Sequence, residues 1–142
     1  MHVRPATISD KPAILHLLSE LRQDTTTSAV TDESLLLIID DPKRTILIAE
    51  VDGEPRAMAV LNLVYKLPKV EARIDEVVVS SSARGTGLGT AIIRKCEDWA
   101  WQQNADTIEF TSRPAREAAN NLYKKLGYSL RNTNVYQKKR AA

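Results

Sequence analysis

Ile74-Asp75-Glu76-Val77-Val78-Val79, followed after a short link by Arg84-Gly85-Thr86-Gly87-Leu88-Gly89 and then by Thr90-Ala91-Ile92-Ile93, is the stretch whose reading decides the fold. A β-rich run, a glycine loop and an apolar helical pattern through Cys96 stand in that order. Glycines at alternate positions let the backbone take positive φ and approach a ligand closely. A helix start adds unpaired N–H groups and the positive end of a dipole. Together they form a cradle for a phosphate or diphosphate.

The spacing excludes two common phosphate binders. A dinucleotide fingerprint, G-x-G-x-x-G counted from Gly85 and Gly87, needs a third glycine at 90, where Thr90 stands. A Walker loop needs a lysine between a glycine and a hydroxyl residue, and this stretch has none. What remains, R-G-x-G-x-G after a valine-rich strand, resembles the acyl-CoA signature Q/R-x-x-G-x-G/A of the GNAT superfamily of N-acyltransferases. Leu122-Tyr123-Lys124-Lys125-Leu126-Gly127-Tyr128 is similar to that family's F/L-Y-x-x-x-G-F/Y segment. One departure is visible: where the family often has Asn, seven residues before the tyrosine, this chain has Arg116.

The rest of the chain alternates strands and helices without repeat or linker. Val3 to Ala6 reads as a short strand. Ser9 is expected to cap a helix with Ile14, Leu17, Leu18 and Leu21 on one stripe, and Thr25 to Ser28 to end it. Thr31-Asp32-Glu33-Ser34 opens a second helix over Leu35 to Ile39, stopped by Asp41-Pro42. Arg44 to Val51 and Arg56 to Tyr65 form a hairpin through Asp52-Gly53. Val70 to Ser80 is a third long strand, followed by the glycine loop, a helix to about Asn104 and a strand over Thr107 to Thr111, a right-handed β-α-β crossover. A last helix carries Ala115, Ala118, Ala119, Leu122 and Leu126 on one face and stops at Gly127, and Tyr128 to Leu130 and Val135 to Gln137 complete the sheet. The expected fold is α/β, a mixed and mostly antiparallel sheet of six to seven strands flanked by about four helices. That order is what the resemblance implies for one domain over 1–142.

Composition narrows the function. The chain has 142 residues, enough for one core without covalent staples, and its net charge of +2 gives no field for nucleic acid. The single cysteine, Cys96, excludes an intrachain disulfide. His2 and His16 lack partners at ligand spacing, so no metal is expected. The start, Met1-His2-Val3-Arg4-Pro5, has no apolar signal run, and no apolar run is long enough to span a bilayer. The expectation is a cytoplasmic protein without membrane or nucleic-acid partners.

The resemblance implies acetyl-CoA as cosubstrate, a small-molecule or peptide amine as substrate, and N-acetyl transfer. Such transfer needs an uncharged amine, a donor for the developing oxyanion and a proton for the leaving thiolate. A lysine-like amine has a pKa of about 10.4, so a base must act near neutrality. Alternation places Ala72, Ile74, Glu76 and Val78 on one strand face, where Glu76 is the odd polar residue and the preferred general base. Asp75, with Glu71, Arg73, Val77 and Val79 on the other face, is the second choice. By resemblance, backbone groups of Val77, Val78 and Val79 meet the pantetheine arm and the thioester oxygen. The N–H groups of Gly85, Thr86, Gly87, Leu88, Gly89 and Thr90 meet the diphosphate, with Arg84 adding charge. Arg116 is a further candidate for the coenzyme's phosphates, and Tyr123 is the proton donor. No nucleophile is evident, since Cys96 falls on a helix stripe with no His beside it, and direct transfer in a ternary complex follows. The alternatives are a non-catalytic acyl-CoA-binding module and an amino-sugar enzyme, because the Asp75-Glu76 pair is similar to the acidic pair of glucosamine-6-phosphate acetyltransferases. A homodimer stays open.

Overall fold

The computed structural model describes residues 1–21 and 29–142. These fall into two compact units, Met1–Thr111 and Ser112–Ala142. The expected break at Thr25 to Ser28 lies outside the described residues.

The first unit is built on a five-stranded sheet of order β1-β2-β3-β4-β5: β1 (His2–Pro5), β2 (Arg44–Val51), β3 (Glu54–Tyr65), β4 (Val70–Val79) and β5 (Thr107–Glu109). The first four strands pair antiparallel, and β4 and β5 pair parallel across the helix between them. The hairpin between β2 and β3 turns through Asp52 at φ 53° and Gly53 at φ 77°. Positive φ at both central residues is the geometry that an Asp-Gly pair favours between twisted strands.

Helix α1 (Lys11–Leu21) follows a 3-10 turn over Ile8–Asp10. Its start differs from expectation, because Thr7 rather than Ser9 caps the turn, and the Asp10 carboxylate accepts the Thr7 N–H at 2.8 Å. Helix α2 (Asp32–Ile39) is capped by Thr31, whose hydroxyl accepts from the Ser34 N–H at 3.0 Å while Ser34 Oγ accepts from the Thr31 N–H at 2.9 Å. Both helices bury apolar stripes against one sheet face, where Ile14, Leu17 and Leu35 meet Ile46, Ile48, Met58, Val60 and Val78. Helix α3 (Leu88–Gln102) packs on β2, β3 and β4 and buries Leu88, Ile92, Ile93, Cys96 and Ala100. On the sheet face opposite the first core, Ala49, Ala57, Ala59 and Ala72 are all fully buried. Side chains that small let a helix carrying Ile92, Ile93 and Cys96 approach the sheet closely.

In the second unit, α4 (Glu117–Lys125) ends at Gly127, φ 96°. The Gly127 N–H donates to the Lys124 carbonyl at 3.1 Å and the Tyr128 N–H to the Tyr123 carbonyl at 3.0 Å. That bond pair is the Schellman stop, and it gives the Tyr-x-x-x-Gly spacing a physical reason: the tyrosine supplies the carbonyl that closes the helix. The helix is shorter than expected. Ala115 lies before it, Ala115 and Ala118 are exposed, and Tyr123 is its one buried residue. The two last strands are not formed. Residues 128–142 take no ladder partner, and Leu130, Val135 and Tyr136 are exposed. Among the described residues the sheet therefore has five strands rather than six or seven. Alternating side chains favour a strand only where a neighbouring edge supplies hydrogen bonds, and local pattern carries no information about that edge.

The β1–α1 corner is held by Arg4, which donates to Asp10 at 2.8 Å and to Glu50 at 2.7 Å. The Arg4 hydrogen bond holds the Asp10 carboxyl below the usual carboxylate range, against the opposing effect of burial. A depressed folded-state pKa contributes stability above the unfolded value that is lost as pH falls through the folded one. Asp10→Asn is expected to lower unfolding free energy by about 1–3 kcal/mol at pH 7. In urea titrations the gap to wild type should close as pH drops below about 4.

Candidate active site

Strand β4 is irregular at its middle. Val60 of β3 faces Glu76, but Leu61 faces Ile74, so Asp75 is an extra residue in the ladder. One inserted residue resets the alternation of every side chain after it. Ala72 and Ile74 pair with Leu63 and Leu61 on the α3 face, whereas Glu76 and Val78 pair with Val60 and Met58 on the face covered by α1 and α2. The expected single face of Ala72, Ile74, Glu76 and Val78 is thus corrected: the bulge moves Glu76 away from Ile74 and sets it between Val60 and Val78. Its half-buried carboxylate still stands among apolar neighbours, though different ones.

Asp75 stays on the face of Arg73. Its carboxylate accepts from the Asn62 side-chain amide, and Asn62 lies on the α1–α2 face opposite Arg73. Consecutive acids that regular alternation would set on opposite faces are thereby turned toward the same one.

Two of the acids of β4 are treated differently. Glu71 is fully buried, which alone would raise its pKa, yet Lys66 at 3.0 Å and Arg73 at 3.1 Å hold it below the usual range. A carboxylate pinned between two cations is a poor proton acceptor. Burial pushes Asp75 up, and the charges of Arg73 and Arg44 oppose the shift without cancelling it. A raised carboxylate pKa is the direction that suits a base working near neutrality.

Beside these acids the sheet opens. β5 pairs with β4 only from Glu71↔Thr107 to Arg73↔Glu109, while β4 runs on to Val79. Among the described residues, no strand pairs with 74–79, including Val77, Val78 and Val79, on the β5 side, which leaves a bare edge of about 20 Å of strand. On the other side they remain paired with β3. That edge leads into the glycine loop through a 3-10 turn over Ser81–Ala83.

The loop has the expected backbone. Gly85 and Gly87 take φ 77° and 84°, and Gly87 is the N-cap of α3. A Cβ added at either glycine would meet nothing within 4 Å, so the space over the loop is open. The first intrahelical bond of α3 runs from the Ala91 N–H to the Gly87 carbonyl, so the N–H groups of Leu88, Gly89 and Thr90 have no acceptor within the helix. Thr86 Oγ1 donates to the Ala83 carbonyl at 2.5 Å, which orders the turn, and Arg84 Nε donates to the Val79 carbonyl at 3.3 Å. A cavity of about 410 Å³ lies against this loop, lined by Ser82, Ala83, Thr86, Gly87 and Leu88 with Met1, Val51 and Arg56.

Arg56 and Asn62 went unnoticed in the sequence, because each lies in an ordinary strand and only the tertiary fold brings it to the loop or the bulge. Cys96 is fully buried, and burial, with a smaller push from Glu97, raises its thiol to about 12. It cannot serve as a thiolate. Tyr123 and Arg116 belong to the second unit: Tyr123 is buried, and Arg116 is the exposed N-cap of α4. There the Asn120 amide donates to the carbonyls of Arg113 and Arg116, each at 2.9 Å.

The sequence model described as the Acetyltransferase (GNAT) family matches residues 15–128. An aminoalkylphosphonate N-acetyltransferase of Salmonella typhimurium is 25% identical over 128 residues, spanning 89% of this chain and 83% of the relative. An uncharacterized N-acetyltransferase of Methanocaldococcus jannaschii is 31% identical over 84 residues, 57% of this chain, and the match spans only 37% of that relative. Among solved structures, the aminoglycoside N-acetyltransferase AAC(6')-Iy in complex with CoA superposes with a TM-score of 0.85 at 15% identity, covering 99% of this chain and 95% of the other.

The positive φ at Gly87 is a local backbone requirement, since a Cβ there would meet no atom beyond its chain neighbours. Gly87→Ala is expected to cost about 1–2 kcal/mol of unfolding free energy, the penalty for an L-residue in the left-handed region. Equilibrium urea denaturation measures it, and an unchanged midpoint would contradict the geometry.

Proposed function

The chain belongs to the acetyltransferase (GNAT) family, and from that premise we propose that it moves an acetyl group from acetyl-CoA to a primary amine by direct attack within a ternary complex. The observation that carries this reading is the bare edge of β4 over 74–79 running into the open glycine loop. An extended pantetheine arm needs such an edge for its amides, and a diphosphate needs the N–H groups at the helix start. The family match crosses both compact units, which supports treating 1–142 as one domain.

In this reading the diphosphate meets the N–H groups between Gly85 and Thr90, and Arg84, Arg56 and Arg116 are the cations assigned to the coenzyme's phosphates. The main chain at Val77, Val78 and Val79 takes the arm and the thioester oxygen. A fixed N–H aimed at the oxyanion is worth about 3 kcal/mol. Glu76, directly or through water, accepts a proton from the ammonium form of the substrate, and Asp75 beside it is the second carboxylate of the pair. The free amine nitrogen attacks the thioester carbon, the N–C bond forms and the C–S bond breaks. Tyr123, assigned by its place in the family segment, protonates the departing thiolate; Glu76, having passed its first proton to water, takes the extra proton of the amide nitrogen, and the Tyr123 phenolate regains a proton from solvent. The products are the N-acetylamine and CoA. The buried Cys96 leaves no side chain for an acyl-enzyme. The phosphonate-bearing and aminoglycoside amines in the relatives' names make small polar amines the substrate class of first choice.

The test is thiol release from acetyl-CoA in the presence of mixed primary amines. Turnover with at least one amine is expected, and none across the panel rejects the enzyme reading. Glu76→Gln and Tyr123→Phe are each expected to lower kcat by about 10²–10⁴. Cys96→Ala should leave kcat unchanged, and a large loss there would instead indicate covalent catalysis.

A further inference from the structure

Asn62 bridges two charged groups. Its Oδ1 accepts from Arg44 Nε, and its Nδ2 donates to Asp75 Oδ2. The three residues lie on three different strands: Arg44 opens β2, Asn62 is opposite it on β3, and Asp75 is the bulged residue of β4. The direction of this chain is fixed by chemistry. A guanidinium has donors only and an ionised carboxylate acceptors only, so the amide between them can satisfy both in one orientation. Arg44 thus selects the amide's orientation, and the amide selects the carboxylate's.

Ile74 lies on the α3 face, so Asp75 falls on the face of Arg73 and Asn62, and Asn62 captures one of its two oxygens. Oδ1 is left to accept from a solvent-side donor, and Asp75 is exposed to one. Glu76 stands next to it on the same face. Resting on the acetyltransferase reading above, we propose that Asn62, oriented by Arg44, is a positioning residue that aims the Asp75 carboxylate at the ammonium group of the amine substrate, so that Asp75 captures the cation while Glu76 takes its proton.

Arg73 on the same strand and Arg44 on β2 act on Asp75, and Glu76 is its neighbour in the chain. On α1, which packs over β3 and β4, Lys11 is paired with Asp32 at 2.6 Å and Glu20 accepts from Ser81 at 3.0 Å. Loss of the Asn62 donor removes a bond to the ionised form of Asp75 and so raises its pKa.

Two measurements test this, one independent of turnover. Carbon-detected NMR titration of Asp75 in the free protein should move up by about one unit in Asn62→Ala, and an unmoved titration overturns the proposal. Kinetics of the wild type, Asn62→Ala, Asp75→Asn and the double variant supply the second. With a cationic amine, Asn62→Ala should raise KM about tenfold with kcat little changed, the worth of one hydrogen bond to a charged group. In the Asp75→Asn background it should add nothing, because Asn62 acts through Asp75. An additive effect, or a loss confined to kcat, overturns the assignment. Asn62→Leu, which fills similar volume without a donor, serves if the alanine variant fails to fold. An Asp75 titration that shifts in Asn62→Ala as described, in a protein whose wild type acetylates no amine, would sink the enzyme reading and, with it, the role of Asp75 in capture.

Discussion

One extra residue in one strand organises the candidate site. The bulge at Asp75 breaks the two-residue period of β4, and everything beyond it changes face: Glu76 and Val78 turn to the helices α1 and α2, and Val77 and Val79 turn to α3. Had the strand stayed regular, Asp75 and Glu76 would be separated by the thickness of the sheet. The bulge is also accompanied by the parting of β4 from β5, whose ladder stops at Arg73, two residues before it. A local insertion thus coincides with both features that the proposed chemistry needs, a bare strand edge and two acids on one side.

The stability of this arrangement comes from the two cores on either side of the sheet. The α1–α2 side is filled by branched residues and Met58, and the α3 side by an alanine surface under Ile92, Ile93 and Cys96. The second core fixes the helix whose N-terminus the glycine loop caps. The apolar faces hold β4 and α3 together, and among the described residues no strand pairs with the edge between them. Buried backbone groups are almost always paired, so a long open edge beside an open loop is the place where a ligand can complete the hydrogen bonding.

Much of this was legible in the sequence where the signal was local. Asp52-Gly53 marked its hairpin, Thr31 and Ser34 marked a helix start, and the spacing of Gly85 and Gly87 before Leu88 marked the turn into α3, because each is decided by the φ or hydrogen bond of a few adjacent residues. The bulge was not legible. A bulge of this kind needs no glycine, and Asp75-Glu76 reads equally well as two regular strand residues until the register with β3 is known. Asn62 and Arg44 were missed for the same reason, since they meet Asp75 only through strand pairing across 13 and 31 positions. The two unformed C-terminal strands are the converse case, an alternating pattern without a ladder.

In the proposed complex, main-chain N–H groups from Gly85 to Thr90 hold the diphosphate of a pantetheine-bearing coenzyme. Isothermal titration of the protein with CoA and, separately, with pantetheine tests it most directly, because the two share the thiol arm and differ in the diphosphate and nucleotide. The account predicts saturable binding of CoA that Gly87→Ala weakens, with pantetheine bound far less tightly. Equal affinity for the two, or no heat with CoA at millimolar concentration, would contradict it.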